Sequence, residues 1–470
     1  MNTKTLLTII LVNISFTGLF GQVSPNFPSN PAFEQKTIDA ITKQYQKDIQ
    51  NIQGPNKKYI ADIYKERFTY IKEKFSKKEI LSDDEAQSYL DKLTNEILKK
   101  NSVFKAEDVR ILFSRSYVPN ASSMGEGTIF FHIGLFHRLQ NESQAAFVLC
   151  HELAHYYLDH TDNGIQKYVA TVYSDEFQKE LKKIQKTAYG RNNQLEKLAK
   201  NMMFKNRRHT REFEQSADSM AIELLKNTNF DVREALSCLA LLDSVDRDKY
   251  HSGIQLEKQF NFSSYPFKKS WLNDDDLKFA VSKDEEAKKE EDSLKTHPEC
   301  SVRIERLKER VNSFYKTNSK QFVVDEKKFN HLKNAFDYEI IKYAFESKNF
   351  SKGIFLGLEM QGAHPDDIIV RTAIGKGLNE VYKHQKDHTL GKIIDLPGPE
   401  YERSYNDFLR LLQNLRLTEV AALSYYFLAQ YKTKNDLNEE YVQALIESAD
   451  HFEKFGEKQD WIDYYKKNFH

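Results

Sequence analysis

Two histidines four residues apart, His151 and His155, constrain this chain of 470 residues more than any other feature of its sequence. Asn141 and Gln144 can cap a helix that runs through an apolar segment into the sequence HELAH. Four residues turn an α-helix by roughly 400°, so both imidazoles project from one face, where they can share one tetrahedral metal ion. Glu152 lies beside that position, and can take a proton from a water molecule and deliver it to a departing amine. The pattern HExxH therefore predicts a zinc-dependent hydrolytic site.

A third metal ligand is needed to support this interpretation, because HExxH occurs by chance in roughly a few per cent of chains of this length. Catalytic zinc takes three protein ligands and keeps a fourth position open. One known arrangement adds a histidine six residues after the second, following a helix-breaking glycine, and the segment after His155 offers neither. His160 is roughly 180° around the helix from His151, so we expect it to face away from the metal as a structural or capping residue.

A downstream acidic segment supplies better candidates for the remaining ligand. Glu214 and Asp218 are four residues apart and stack on one face of a predicted helix that continues into an apolar run. We expect Glu214 to bind the metal and Asp218 to hold a ligand histidine through its ring N–H, as the outer partners of zinc sites do. Glu212 is the alternative ligand. Without the upstream HExxH, the same residues would be interpreted as an ordinary acidic helix face.

Four motifs follow one another between residues 82 and 312. In chain order they are Pro119–Ala121 with Gly134–Leu135, His151–His155, Arg211–Asp218 (RxxExxAD) and Thr296–Leu307 (THPxxxxRIxxL). Together they resemble the zinc metallopeptidase family of the HtpX membrane protease and the CAAX prenyl proteases. His297, in the last motif, matches a family histidine near the active site. The resemblance implies that it contacts the substrate, the transition-state oxygen or the zinc ion, whereas the sequence alone also allows a helix cap before a proline.

The resemblance also implies a fold and a set of site residues. The fold is that of the gluzincins, a class of zincin-type peptidases, with one Zn²⁺ per chain. The metal ligands are His151, His155 and Glu214. Glu152 is the general base, and Asp218 lies behind the first histidine.

The first 21 residues have the pattern of a secretory signal peptide. Lys4 precedes an apolar run from Leu6 to Phe20, and the small residue Gly21 ends it. The alternative is a retained membrane anchor, for which the run is short, and no later apolar stretch approaches the roughly 18 residues of a transmembrane helix. The chain is also similar to the soluble, secreted branch of the family. We therefore expect a secreted or periplasmic protein with no transmembrane helix in the mature chain.

The expected fold is mostly α-helical with a small β-sheet, an α+β arrangement, because glycine and proline number only 17 and 10. Segments Val109–Phe113 and Thr128–His132 are rich in β-branched and aromatic residues and predict strands. A capping box predicts a helix from Ser82 to Asn101. The expected domains are a signal peptide (1–21), a leader with helices (22–80), a zinc metallopeptidase domain (81–312) and an α-helical, tetratricopeptide-like domain (313–470).

The expected partners are protein or peptide substrates, above all unfolded ones. They would bind as an extended strand next to the metal helix, since backbone pairing tolerates many side chains. The edge for this pairing is predicted within Asn120 to Phe131, with Asn120 and Ala121 as site residues. The C-terminal helices could recruit a protein partner. A formal net charge of zero argues against nucleic-acid binding.

Several alternatives stay open at this point. The basic segment 179–208 is a solvated helix face, a lid, or a surface for peripheral contact with anionic membrane lipid. The segment from about 250 to 295 is expected to form a mobile cover over the cleft. Cys150 is expected in the core, and Cys238 and Cys300 could form a bridge. The rival function is a non-catalytic scaffold or chaperone-like binding module that acts through the C-terminal helices.

Overall fold

The computed structural model describes residues 27–187, 191–248, 253–273, 300–398, 401–431 and 437–469, and describes residues 192, 193, 196, 197, 199–210 and 245–248 by their backbone alone. The predicted signal peptide and His297 therefore lie outside the described residues. The chain forms two compact units. Of the described residues, 27–248 and 300–337 make up the N-terminal unit, and 253–273 and 338–469 make up the C-terminal unit.

Helices dominate both units. In chain order they are α1 (Pro31–Asn51), α2 (Lys57–Ser76), α3 (Asp84–Leu98), α4 (Ile133–Phe136), α5 (Glu142–Tyr157), α6 (His160–Val172), α7 (Asp175–Gln185), α8 (Arg191–Lys226), α9 (Glu234–Asp248), α10 (Leu256–Gln259), α11 (Cys300–Phe314), α12 (Glu326–Glu346), α13 (Phe350–Ala363), α14 (Ile368–Lys386), α15 (Arg403–Asn414), α16 (Leu417–Ala429), α17 (Glu439–His451) and α18 (Phe455–Phe469). The two units meet in the chain within α12. The domain limits from the sequence stay a prediction.

A three-stranded sheet lies in the N-terminal unit. Its strands are β1 (Arg110–Ser114), β2 (Ala121–Ser123) and β3 (Thr128–His132). β3 lies in the middle, parallel to β1 and antiparallel to β2. Most residues of β1 and β3 are buried in succession, the pattern of strands covered on both faces, whereas β2 is partly exposed and forms one edge. The predicted fold class, mostly helical with a small sheet, is confirmed.

The start of α3 differs from the prediction. Asp83, rather than Ser82, is the N-cap, since its carboxylate accepts the backbone N–H groups of Glu85 and Ala86. The hydroxyl of Ser82 instead donates to Glu34 and accepts the backbone N–H of Asn30. Both residue types are good caps. Ser82 forms its hydrogen bonds with Glu34 and Asn30, in a distant part of the chain, and Asp83 is left to cap the helix.

The C-terminal unit is a set of packed helices around an apolar core. Phe260 and Trp271, in the segment before α11, are buried in this core. The prediction of a mobile cover is therefore wrong for residues 253–273, because their aromatic side chains are core residues. Its remaining part, from 274 to 295, lies outside the described residues. The tetratricopeptide-like character of the helices stays a prediction.

All three cysteines are buried, and Cys238 and Cys300 form no disulfide bond. Cys150 is in the core, as predicted, where burial raises the pKa of its thiol. Burial likewise raises the pKa of the Cys238 thiol to about 12. In the described part of the chain, no helix is long and apolar enough to cross a membrane.

Candidate metal centre and active site

The N-terminus of α5, the helix that contains the HELAH sequence, is fixed by a buried carboxylate. Glu142 accepts hydrogen bonds from the backbone N–H groups of residues 323 to 325 at 2.6, 2.7 and 2.8 Å. The hydroxyl of Tyr89 donates to the same carboxylate at 2.9 Å. Asn141 caps the helix by accepting the N–H of Gln144, as predicted. A carboxylate in the first turn also complements the positive end of the helix dipole.

Three side chains from two helices converge beside α5. Nε2 of His151 and Nε2 of His155 are 3.1 Å apart. Glu214, on α8, places Oε2 3.5 Å from Nε2 of His151 and Oε1 3.3 Å from Nε2 of His155. Among the described residues, these three form the one group of histidine, cysteine or acidic side chains that could hold a metal ion.

The spacing of these donor atoms fits zinc. Bonds of 2.0–2.1 Å arranged tetrahedrally place neighbouring ligand atoms about 3.3 Å apart. The three observed separations, 3.1, 3.3 and 3.5 Å, lie around that value. Two imidazoles and one carboxylate are also a donor set of catalytic zinc, with a fourth position left for water or substrate.

Behind the first histidine lies a buried pair of opposite charges. Asp218 Oδ1 is 3.0 Å from Nδ1 of His151. The Nε and Nη2 atoms of Arg303, on α11, donate to the two carboxylate oxygens of Asp218 at 2.8 and 2.6 Å. Arg303 also lies 4.0 Å from Glu214. The Arg303 side chain is 7% exposed, and those of Asp218 and Glu214 are 4% exposed. The guanidinium and the two carboxylates therefore interact away from bulk water.

These contacts shift the pKa values of the groups in opposite directions. Burial raises the pKa of Asp218, but the hydrogen bonds from Arg303 and His151 outweigh burial and bring it down to about 2. Burial lowers the pKa of His151, but Asp218 and Glu214 outweigh that effect and raise it to about 10. The carboxylate behind His151 thus stays ionised at neutral pH, with Oδ1 3.0 Å from Nδ1 of that ring.

Arg303 is the functional residue that sequence reasoning missed. It was part of the fourth motif, but no role was assigned to it. The signal that could have found it is charge balance, because two carboxylates behind a metal site need a buried cation. Glu152, on α5 directly after His151, is 8% exposed and lies beside the ligands.

His160 lies against the ring of His155, on the Nδ1 side and not on the Nε2 side that faces His151 and Glu214, so the prediction that it faces away from the site is wrong. α5 ends at Tyr157, and Asp159 then adopts a left-handed conformation with φ of 51°. The chain turns there and α6 begins at His160, so helical spacing cannot be extended across this point. Nδ1 of His160 is 3.0 Å from Nδ1 of His155. Burial and the neighbouring ring of His155 lower the pKa of His160 to about 4.

The predicted substrate edge coincides with the start of β2. Ala121 is the first residue of this strand, opposite Phe131 on β3, and the carbonyl of Asn120 accepts the N–H of His132. β2 lies beside α5, and the strand order puts it at the edge of the sheet. Within this sheet, the backbone groups on the other side of β2 therefore have no strand partner.

A helix with HExxH, a carboxylate from a second helix that could share a metal ion with the two histidines, and an edge strand beside them are typical of a metallopeptidase. Residues 84–311 match the family model of peptidase family M48. The region 84–311 is therefore a peptidase family M48 region, which confirms the resemblance noted in the sequence, and the chain that contains it is a metalloendopeptidase. None of the curated proteins matches the chain significantly.

Proposed function

We propose that this enzyme holds one Zn²⁺ per chain on His151, His155 and Glu214, and that Glu152 is the general base of peptide-bond hydrolysis. The main support is the convergence of the three ligands at the spacing of a tetrahedral ion. Bound zinc would supply a Lewis acid that polarises the scissile carbonyl and lowers the pKa of a water molecule toward roughly 7. Structural zinc sites usually close with four ligands and favour cysteine, which this ligand set lacks.

Glu152 would move the proton. It follows His151 on α5, so its carboxylate lies about 100° further around the helix, beside the ligands rather than among them. From there it accepts a proton from the attacking water and donates it to the departing amine. Asp218 and Arg303 act through His151, because they fix the orientation of a ligand ring.

The substrate would lie along β2. An extended segment can pair with the backbone from Asn120 and Ala121 onward, and this pairing does not depend on side-chain identity. A folded domain cannot present such a segment without local unfolding. We therefore expect unfolded proteins or flexible segments as substrates.

The place of action and the remaining partners are further parts of the proposal. The sequence of residues 1–21 favours export, and envelope or extracellular proteins are then the substrates that the enzyme meets. His297 would lie close to the active site, as in the related peptidases. The C-terminal helices, if they form tetratricopeptide-like hairpins, would recruit protein partners.

The test compares zinc content and cleavage of casein, a largely unfolded protein, across variants of the full chain. Glu152→Gln is expected to keep one zinc per chain and to lose roughly 10²- to 10⁴-fold in cleavage rate. Glu214→Gln is expected to lose the zinc. Glu212→Gln is the matched control, because this exposed residue is two positions from Glu214 on the same helix and should keep both properties. Cleavage by Glu152→Gln at the wild-type rate would refute the assignment of the base.

A further inference from the structure

A line of hydrogen-bonding groups leads away from the metal ligand His155. Its Nδ1 lies 3.0 Å from Nδ1 of His160, and Nε2 of His160 lies 3.0 Å from the hydroxyl of Ser216 on α8. The ring of His160 is buried and stacks on Phe213, with ring centres 4.4 Å apart and planes inclined by 16°. Both nitrogens of His160 are therefore engaged, and the ring has a fixed orientation.

The contacts of Ser216 favour a hydrogen on Nε2 of His160. Its hydroxyl lies 3.0 Å from the backbone carbonyl of Glu212 and 3.0 Å from that of Phe213, and both carbonyls can only accept. A hydroxyl has one hydrogen, so when Ser216 donates to either carbonyl, its contact with His160 requires Nε2–H of the ring to donate. Nδ1 of His160 is then the free acceptor.

The same logic fixes the tautomer of His155. An accepting Nδ1 on His160 requires Nδ1–H on His155, because two lone pairs 3.0 Å apart repel each other. A neutral imidazole has one N–H, so Nε2 of His155 keeps its lone pair. This atom is the one that faces Nε2 of His151 and Glu214. If the hydrogen bond ran the other way, from Nδ1–H of His160 to Nδ1 of His155, the hydrogen of His155 would be on Nε2. It would then block a bond between Nε2 of His155 and a metal ion.

We propose that His160 is a positioning residue that, together with Ser216, selects the metal-binding tautomer of His155. The inference rests on the proposed zinc site. It identifies His160 as the hydrogen-bond partner of His155, the second histidine ligand. Asp218 orients His151 through a charge, whereas His160 orients His155 through a neutral ring. The line from His155 to Ser216 also ties α6 and α8 together at the ligand.

The experiment measures the zinc affinity of the full chain by competition with a chromophoric chelator. His160→Phe keeps a flat ring for stacking on Phe213 but offers no acceptor, and zinc affinity should fall by roughly 10- to 100-fold. His160→Asn places an amide oxygen near the position of Nδ1, and it should recover most of that affinity. His137→Phe is the control, because it removes a histidine bonded to Asp337 elsewhere in the same unit and should leave affinity unchanged.

A readout that a merely structural residue would not change is the tautomer of His155, seen by ¹⁵N NMR of histidine-labelled protein. In the metal-free protein, Glu214 lies 3.3 Å from Nε2 of His155 and competes for its hydrogen. The wild type and His160→Asn should therefore populate the Nδ1–H form more than His160→Phe, which should shift toward the Nε2–H form. If the wild type binds zinc and His160→Phe binds it equally tightly, the inference is wrong and the metal centre stands. If loss of affinity in both variants follows loss of thermal stability, with no change of tautomer, the role is structural and the inference is also wrong. A wild type that binds no zinc would overturn the proposed metal centre itself.

Discussion

Replacing Arg303 by methionine should reveal how much of the active site depends on one buried cation. Arg303 donates to Asp218 at 2.8 and 2.6 Å, and both side chains are almost fully buried. The variant would leave a buried carboxylate with His151 as its remaining partner in the described residues. Breaking a buried ion pair on one side costs about 3–5 kcal/mol. We expect the free energy of unfolding of the N-terminal unit, without metal, to fall by that amount.

A double variant separates stability from metal binding. Asp218→Asn combined with Arg303→Met removes both charges, so most of the lost stability should return, as for other buried pairs replaced by neutral groups. Zinc affinity should not return with it. An amide accepts the Nδ1–H of His151 more weakly than a carboxylate does, and loss of such an outer partner lowers metal affinity by roughly 10- to 100-fold.

The assay must report on one unit at a time. Both tryptophans, Trp271 and Trp461, belong to the C-terminal unit, so their fluorescence follows the unfolding of that unit. Hydrogen exchange of the backbone amides of α5 and α8 follows the N-terminal unit. In urea with a chelator, Arg303→Met should change the exchange and leave the fluorescence transition in place. The reasoning is refuted if Arg303→Met unfolds within about 1 kcal/mol of wild type, or if the double variant is no more stable than the single one.

Three further predictions follow from buried ionisable groups. Because its two carboxylate neighbours raise the pKa of His151 to about 10, the metal-free ring is protonated at pH 7. Zinc binding should then release about one proton and weaken roughly tenfold per unit of falling pH, as calorimetry in buffers of different ionisation enthalpy would show, whereas a pH-independent affinity would contradict this. Burial and Lys383 lower the pKa of His451 to about 4, so the C-terminal unit should be most stable above about pH 6.5 and lose up to about 3 kcal/mol as pH falls toward 4. Tryptophan fluorescence should show this loss in the wild type and not in His451→Gln. Glu142→Gln should weaken the three hydrogen bonds from the backbone N–H groups of residues 323 to 325 by about 1.5–3 kcal/mol in total. Exchange of those three amides should become faster, and it should stay unchanged in the control Glu96→Gln, a partly exposed residue paired with Lys99.

The parts of the site that lie a fixed number of residues apart on one helix were accessible from the sequence. His151 and His155 face one position, and Glu214 and Asp218 lie on one face of α8 and contact opposite edges of the His151 ring, because helical geometry relates the members of each pair. The sequence also indicated that the two pairs lie together in the fold, because a zinc ion bound by two histidines needs a third protein ligand. These relations need no knowledge of how the helices pack.

Relations that depend on a break in periodicity or on packing were not accessible. His160 was assigned the wrong side because the turn before it uses a left-handed Asp159, and no glycine or proline marks the end of α5. Arg303 reaches Asp218 across 85 residues of sequence, through the packing of α11 against α8. A pattern along one chain segment does not contain either fact.

The buried groups around the ligands also balance their charges in a way that suits metal uptake. Glu214 and Asp218 carry two negative charges, and Arg303 supplies one positive charge against them. In the metal-free site the proton on His151 supplies the second, so this group of residues is neutral at pH 7. A divalent ion bound in place of that proton would leave this group positive by one charge, which offsets the negative charge of Glu152 as general base. The site would then not oppose the negative charge that grows on the oxygen of a substrate carbonyl. Arg303 would in this way serve hydrolysis as well as folding, because without it the loaded site, counted with Glu152, would be negative by one charge.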